Sequence, residues 1–264
     1  MDATSRSISD LLTARLRADG DKPLITAYDT GTGERTELSV ATADNWASKA
    51  ANHLAEDLDV KRGDPVGVLL GTAWTTPVLL LACWRVGALP VLGWRDDAER
   101  PAVVFVAEDR LAELPGAHRG AGEVLVVGRG LGARLSPDAP AEAAALRLFA
   151  DEVLAFADDY DDPELDGDAA GWAEPPLSQA ALLTRAADWP RSARVLSTAP
   201  ATDFAGAVAL VGCLAGGSLV LVRTHSDGVE GVAGGEGVEG VMERIARDER
   251  ATHVHDGSAP PRPV

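Results

Sequence analysis

The sequence has few cysteines, and none are spaced for cross-linking or metal binding. Only Cys83 and Cys213 occur in 264 residues, and both lie inside apolar runs. Two cysteines in apolar runs do not make a disulfide framework, and the absence of a Cys-x-x-Cys pair argues against a zinc or redox motif. The first residues, MDATSRSISD, lack the basic-then-apolar order of a signal peptide. We therefore expect a cytoplasmic protein.

Long apolar runs are also absent, and positive charge is scarce. The longest apolar stretches, around VLLLACW and FAGAVALVGCLAGG, fall short of the roughly 20 residues that a membrane-spanning helix needs. Lys and Arg total 24 against 41 Asp and Glu, which gives a formal charge of −17. Because such a chain repels phosphate backbones and anionic lipid headgroups, we expect neither nucleic-acid nor membrane partners. A small molecule or another protein is the partner that this charge allows.

What the sequence does contain is a series of short apolar runs that alternate with helical patterns. Serines at 7, 39 and 178 each precede such a helical pattern as a predicted cap. This alternation is typical of βαβ units, and it predicts an α/β fold with a layered, mostly parallel sheet flanked by helices. We expect one domain over residues 1–256, with the segment 137–156 helical. The remaining features are an acidic loop at 157–176, a Gly-rich loop at 226–240 and a loose tail at 257–264.

The acidic loop contains the first candidate for metal binding. Four weak candidate ligands, with Gly167 in the sixth place after Asp162, resemble a calcium loop; they are Asp162, Glu164, Asp166 and Asp168. The twelfth position, however, is Ala173 where a bidentate acid is needed. We interpret the segment as a solvated acidic loop and predict no metal site there.

Two other motifs have simple structural interpretations. GRGLG at 128–132 follows a predicted strand, but its spacing is not GxGxxG and a proline follows soon after, so we predict a plain turn. His253 and His255 lie two apart on a predicted strand, with Asp256 next, and could supply metal ligands. No further ligand in the sequence completes that set.

Four phrases occur in an order that is familiar from one enzyme superfamily. They are PLITAYDTGTGERTELS, RGDPVGVLLGTAWTTPVLLLACWRVGALPVL, RVLSTAPATDFAGAVALVGCLAGGSLVLV and MERIARDERATHVHDGSAP. Together they resemble the N-terminal domain of the adenylate-forming superfamily, which includes acyl- and aryl-CoA synthetases, luciferases and peptide-synthetase adenylation domains. The order and rough spacing hold from about residue 8 to 258.

The resemblance fails at the residues that do the chemistry. The superfamily holds ATP phosphates with a Ser/Thr/Gly-rich loop that ends in Pro-Lys-Gly, whereas this chain has DPELDGDAAGWAEPPL there. No basic residue occurs between Leu148 and Thr184, and no lysine follows Lys61. Asp203 stands where the family's Pro-x-x-His-x-x-Gly loop usually has histidine. The Tyr-Gly-x-Thr-Glu motif, the Thr-Gly-Asp motif and the lid lysine are missing.

The resemblance therefore implies a truncated, degenerate relative that keeps the N-terminal scaffold. We expect a non-catalytic AMP-binding-like domain that needs no cofactor, has no catalytic residues and binds a small molecule or a protein. The substrate-pocket candidates are Asp203, Phe204 and Gly206, because the matching family loop borders the acyl or aryl substrate. Two alternatives stay open: a partial carboxylic acid-activating enzyme of the acyl-CoA ligase type, completed by a partner chain, or an unrelated metal-binding hydrolase.

Overall fold

The structure is a computed structural model, and it describes residues 7–92, 101–114, 123–173, 175–199, 203–224, 237–257 and 261–264. The helices in these segments are α1 (Ile8–Asp19), α2 (Val40–Asn52), α3 (Thr75–Val86), α4 (Phe149–Val153), α5 (Gln179–Arg185), α6 (Phe204–Leu214) and α7 (Val238–Asp248). The strands are β1 (Pro23–Asp29), β2 (Glu34–Ser39), β3 (Pro65–Leu69), β4 (Leu89–Val91), β5 (Val103–Ala107), β6 (Glu123–Val127), β7 (Arg147–Leu148), β8 (Ala170–Trp172), β9 (Leu177–Ser178), β10 (Arg194–Ser197), β11 (Ser218–Arg223), β12 (His253–His255) and β13 (Arg262–Pro263).

Two mostly parallel sheets organise the fold. The first has the strand order β13-β12-β10-β11-β1-β2, with parallel pairing from β12 through to β1 and antiparallel pairs at both edges. The second has the order β4-β3-β5-β6-β7 and is parallel throughout. Strands β8 and β9 form a separate antiparallel hairpin. The predicted α/β class with a mostly parallel, helix-flanked sheet is confirmed.

Helix α3 is buried over its whole length. All twelve of its residues are buried, as its nearly all-apolar sequence predicts for an internal helix. One continuous core joins this helix to side chains of both sheets, including Phe105 of β5 and Leu219 of β11. The helix ends at Gly87, whose φ of +74° is the left-handed conformation that glycine adopts without strain. Cys83 and Cys213 are buried, and burial raises the pKa of each thiol to about 12.

The predicted helix caps are confirmed. The Ser7 hydroxyl accepts a hydrogen bond from the Asp10 amide at 3.1 Å, and the Asp10 carboxylate accepts from the Ser7 amide at 2.9 Å. Ser39 and Ser178 cap α2 and α5 in the same way. Pro77 is the third residue of α3. Its missing N–H costs nothing there, since the first amides of a helix have no helical partner.

The prediction that the segment 137–156 is helical is wrong. It contains a 3₁₀ turn at Ala143–Ala145, the two-residue strand β7 and only the five-residue helix α4. Tertiary contacts override helix propensity here, because β7 extends the second sheet beside β6 and Phe149 becomes fully buried. The helix propensity of a segment is a weak guide where such contacts form.

Two other boundaries shift. Residues 226–236 of the predicted Gly-rich loop lie outside the described residues, and α7 already begins at Val238. In the tail that we predicted to be loose, Arg262–Pro263 pair with the edge strand β12, whose outer backbone groups are otherwise unpaired. None of the described helices is long and apolar enough to cross a membrane.

A cluster of ion pairs joins the β1–β2 hairpin to the end of α7. Glu249 is 8 % exposed, and its carboxylate accepts hydrogen bonds from Tyr28, Arg194 and Arg35, the last at 2.7 Å. Burial alone would raise the pKa of Glu249, but these three hydrogen bonds lower it to about 2. The cluster therefore fixes the edge of the first sheet with a fully ionised carboxylate.

Candidate functional site

The β8–β9 hairpin lies where the superfamily resemblance expects the phosphate loop. Gly171 of β8 approaches the next helix so closely that a Cβ would lie 2.8 Å from the backbone nitrogen of Gln179. Gln179 is fully buried; its amide oxygen accepts from the Ile8 amide at 2.9 Å and its amide nitrogen donates to the Trp84 carbonyl at 2.9 Å. The hairpin is thus fixed to α1 and α3.

The connection between the two strands offers little to a phosphate. It consists of residues 173–176, of which Glu174 lies outside the described residues. Pro175 and Pro176 have no N–H, so two of the four positions have no amide to donate to an anion. The hydroxyl of Ser178, the nearest one in the sequence, already accepts from the Ala181 amide as the cap of α5.

The acidic segment before the hairpin is not simply solvated, and the sequence interpretation needs correction here. The Arg85 guanidinium, on α3, donates to both oxygens of Asp162 at 2.8 and 3.0 Å and to Asp44 at 2.9 Å. The Arg85 side chain is only 7 % exposed. Burial raises the pKa of Asp44, although the charge of Arg85 acts to lower it. Asp162 is therefore half of a structural ion pair.

Residues of α2 and a loop fix the rest of this segment. Lys49 donates to the Phe156 carbonyl at 2.6 Å, and the Asn52 side chain donates to the Ala157 carbonyl at 3.1 Å. Arg62 reaches Asp166 at 2.5 Å in an exposed pair. These cations come from far away in the sequence, so a count of charges within 148–184 could not find them.

The four weak metal candidates are not brought together. Glu164 and Asp168 are exposed, while Asp162 and Asp166 are paired with arginines. Within the described residues, none of the four joins a group of three ligands close enough for one ion. The arrangement accounts for their charges through ion pairs and solvent.

The three pocket candidates lie together at the start of α6. The Asp203 carboxylate accepts a hydrogen bond from the Gly206 amide at 2.7 Å, so it caps the helix. The Phe204 ring lies 5.6 Å from the Trp172 ring of β8, and the Arg185 guanidinium lies 5.4 Å from the same Phe204 ring. Residues 200–202 of the matching family loop lie outside the described residues. That the three border a substrate stays a prediction.

The GRGLG turn closes on itself. The Gly128 amide donates to the Ala133 carbonyl at 2.9 Å, and the Gly130 amide donates to the Arg134 carbonyl at 2.8 Å. Since these amides are already used, the prediction of a plain turn is confirmed.

The histidines of β12 are not gathered into a ligand set. His255 is fully buried, and its ring packs edge-on against Trp189 at 5.1 Å. His253 bonds to the neighbouring Thr252 hydroxyl at 2.9 Å. Neither belongs to a three-ligand group within the described residues.

Sequence reasoning missed one group of ligand-type residues. His53, Asp57 and Glu152 have ligand atoms within 4.8 Å of one another. The Arg147 guanidinium donates to both carboxylates at 2.6 Å, so it offsets part of their negative charge without an ion. Burial lowers the pKa of His53, with Glu152 and Asp57 opposing that effect. The spacing of His53 and Asp57 on one helical face was visible in the sequence, but Glu152 lies a hundred residues away.

Comparisons with known proteins show what this chain is similar to. Residues 12–109 match the family described as AMP-binding enzyme. A Mycobacterium tuberculosis protein, whose name assigns a family without stating an activity, is 36% identical over 151 residues. That match covers 54% of this chain and 60% of that protein. The N-terminal part of this chain, residues 12–109, is thus similar to AMP-binding enzymes.

Solved structures show the same fold. Acetoacetyl-CoA synthetase from Streptomyces lividans matches with a TM-score of 0.72 at 19% identity, over 94% of this chain and 42% of that one. An acyl-CoA synthetase from Brucella canis matches with a TM-score of 0.71 at 16% identity, over 95% of this chain and 47% of that one. A benzoate CoA ligase from Burkholderia xenovorans matches with a TM-score of 0.70 at 15% identity, over 94% of this chain and 49% of that one. The chain thus spans less than half the length of these three structures.

Proposed function

We propose that this chain is a non-catalytic AMP-binding-like domain, which binds a small molecule or a protein partner and does not activate carboxylic acids by itself. The observation that carries the proposal is the connection between β8 and β9. It has no lysine, and two of its four residues are prolines that have no amide N–H. A triphosphate needs donors and a cation at this place.

Electrostatics support the same proposal. The carboxylates of Asp161, Glu164 and Asp168 are exposed on the segment that leads into the hairpin. Unit charges about 4 Å apart repel by roughly 1–4 kcal/mol at surface-like dielectrics, so an entering triphosphate meets several unfavourable interactions. Arg85 and Arg62, which reach this segment, already bind Asp162 and Asp166.

Asp203 supports the proposal in a different way. The superfamily usually has histidine at this place, but here the side chain holds the first turn of α6 through the Gly206 amide. A residue committed to a helix cap contributes to the position of the helix and leaves no imidazole for a substrate. Phe204, Trp172 and Arg185 remain as the surface that a bound small molecule would contact there.

The proposal is tested by titrating the purified chain with ATP and Mg²⁺ in a calorimeter, and by assaying pyrophosphate release with a panel of carboxylic acids. We expect no pyrophosphate release with any acid. An intact acyl-CoA ligase, run in parallel, is the positive control. Release of pyrophosphate by this chain alone, with saturable dependence on a carboxylic acid, would contradict the proposal.

A second function is proposed because the chain shares the fold of solved CoA ligases. In this alternative the chain is a partial carboxylic acid-activating enzyme of the acyl-CoA ligase type, and a partner chain supplies the lysine and the lid. This alternative requires a stoichiometric second subunit in native mass spectrometry of material purified from the source cells. It also requires pyrophosphate release that appears only when both chains are combined. A monomer that stays inactive under these conditions favours the non-catalytic function.

The net charge of the chain supports a proposal about its partners. At a formal charge of −17, we propose that nucleic acids and anionic membranes are not among them and that the protein acts in the cytoplasm. Retention on a heparin column at low salt would count against this part.

A further inference from the structure

A groove of about 690 Å³ opens beside α1, at the starts of β1, β10 and β11 of the first sheet. Its walls are formed by α1, by residues 22–23 and 191–194 at the starts of β1 and β10, and by the turn between α6 and β11. The strands β1, β10 and β11 are parallel, so the groove lies at their amino ends. Asp203, in contrast, follows the carboxyl end of β10.

The charge of this groove is opposite to that of the molecule. It is lined by Arg15, Lys22, Arg191 and Arg194, with Asp19 as the acidic residue among its lining residues. In a chain where acids outnumber bases by 41 to 24, a chance patch would be acidic. A concave surface with one sign of charge concentrates ligands of the opposite sign.

Arg15 supplies the strongest observation. It is 9 % exposed and lines the groove, and its Nη1 and Nη2 reach Asp19 at 2.6 Å and the Gly217 carbonyl at 3.3 Å. Its Nε is buried and has no hydrogen-bond partner among the described residues. A buried guanidinium N–H without an acceptor is unfavourable, and a ligand oxygen would relieve that cost.

Two further cationic side chains line the groove, and few carboxylates offset their charge. Arg191 is exposed and makes no ion pair with a described residue, and Lys22 reaches only the exposed Asp21, at 3.5 Å. Arg194 differs, because its guanidinium is held by Glu249 and donates to the Ser218 hydroxyl at 3.1 Å. Arg191 and Lys22 are therefore free to approach an anion.

The size of the groove defines the rest of the ligand. A volume near 690 Å³ lies within the range of about 300–1,000 Å³ typical of small-molecule sites and is far larger than a bare phosphate needs. Ala14 and Ala18, on the exposed side of α1, give the wall apolar surface beside the cations. We propose that this groove binds an organic anion, a phosphate monoester or carboxylate on an apolar body, through Arg15, Lys22 and Arg191. This site is separate from the hairpin and does not depend on the proposed loss of catalysis.

The test uses hexyl phosphate, hexanoate and uncharged hexanol as probes in calorimetric titrations of the full chain at low salt. We expect saturable binding of at least one of the two anions and none of hexanol. Saturation by hexyl phosphate alone assigns a phosphate ligand, and saturation by hexanoate alone assigns a carboxylate. Failure of both anions to saturate at about 10 mM, a concentration that detects even weak small-ligand sites, would overturn the proposal.

Variants locate the binding. In the double variant Lys22→Gln/Arg191→Gln, two exposed cations are lost and we expect at least about tenfold weaker binding, which is the effect of two exposed charge contacts. The control Arg17→Gln/Arg247→Gln removes the same charge from exposed positions outside the groove and should bind as the parent does. Equal weakening in both double variants would refute a local site. Because ATP is itself an organic phosphate, binding of ATP that vanishes in the first variant and releases no pyrophosphate belongs to the groove and leaves the proposed function intact.

Discussion

The ionised state of Glu249 gives a stability prediction that the structure makes quantitative. Glu249→Gln keeps the shape of the side chain but removes the charge that Arg35 and Arg194 share. The pKa of this carboxyl falls from 4.5 to about 2 on folding. At about 1.4 kcal/mol for each pKa unit, the ionised carboxylate stabilises the fold by about 3 kcal/mol at neutral pH.

The pH dependence has a defined sign. Because the pKa is lower in the folded state than in the unfolded chain, the stabilisation is fully present above about pH 5 and is lost as the pH falls towards 2. Urea unfolding, followed by tryptophan fluorescence, would measure the free energy of unfolding at pH 7 and pH 4. We expect the parent to exceed the variant by about 3 kcal/mol at pH 7, and the difference to shrink by about 1 kcal/mol at pH 4.

A control separates this effect from a general loss of negative charge. Glu243→Gln changes an exposed carboxylate on the neighbouring helix α7, and its free energy of unfolding should stay within about 0.5 kcal/mol of the parent at both pH values. If Glu249→Gln is as stable as the parent at pH 7, or if the difference between them does not change with pH, the reasoning is wrong.

Three other substitutions test the arrangement around the hairpin. Arg85→Gln leaves Asp44 and Asp162 without their shared cation, and we expect a loss of about 3–5 kcal/mol in urea unfolding at pH 7. Asp203→Ala removes a cap and should cost about 1 kcal/mol, whereas Asp203→Asn should restore most of it; equal losses would argue against the cap. Gly171→Ala places a methyl group 2.8 Å from backbone atoms, and we expect faster proteolysis of the hairpin than in the parent, detected by mass spectrometry of the fragments.

Local patterns explain which elements could be predicted from the sequence. The serine caps and the apolar helix α3 depend on neighbours within a few residues, and both appear as expected. The segment that became β7 and α4 depends instead on pairing with β6 and on the burial of Phe149. A helix-forming composition could not reveal those distant contacts.

The candidate sites show the same difference between features set by neighbouring residues and features set by distant contacts. The absence of lysine near the hairpin is a property of the sequence, and it was visible there. The pairing of Asp162 with Arg85, 77 residues away, was not visible, so the acidic segment was expected to be solvated. The cationic groove was hidden for the same reason, because Arg15 and Arg191 meet only after α1 packs beside the start of β10.

The strand order of the first sheet has a consequence for synthesis of the chain. Strand β1 pairs in parallel with β11, which follows it by about 190 residues, so the hairpin made first has no inner neighbour until most of the chain exists. At ribosomal rates of about 5–20 residues per second, the backbone edge of β1 stays unpaired for roughly 10–40 s before its partner strand is made. Parallel pairing across such a separation is intrinsically slow, and the nascent hairpin is the segment that chaperones would need to shield.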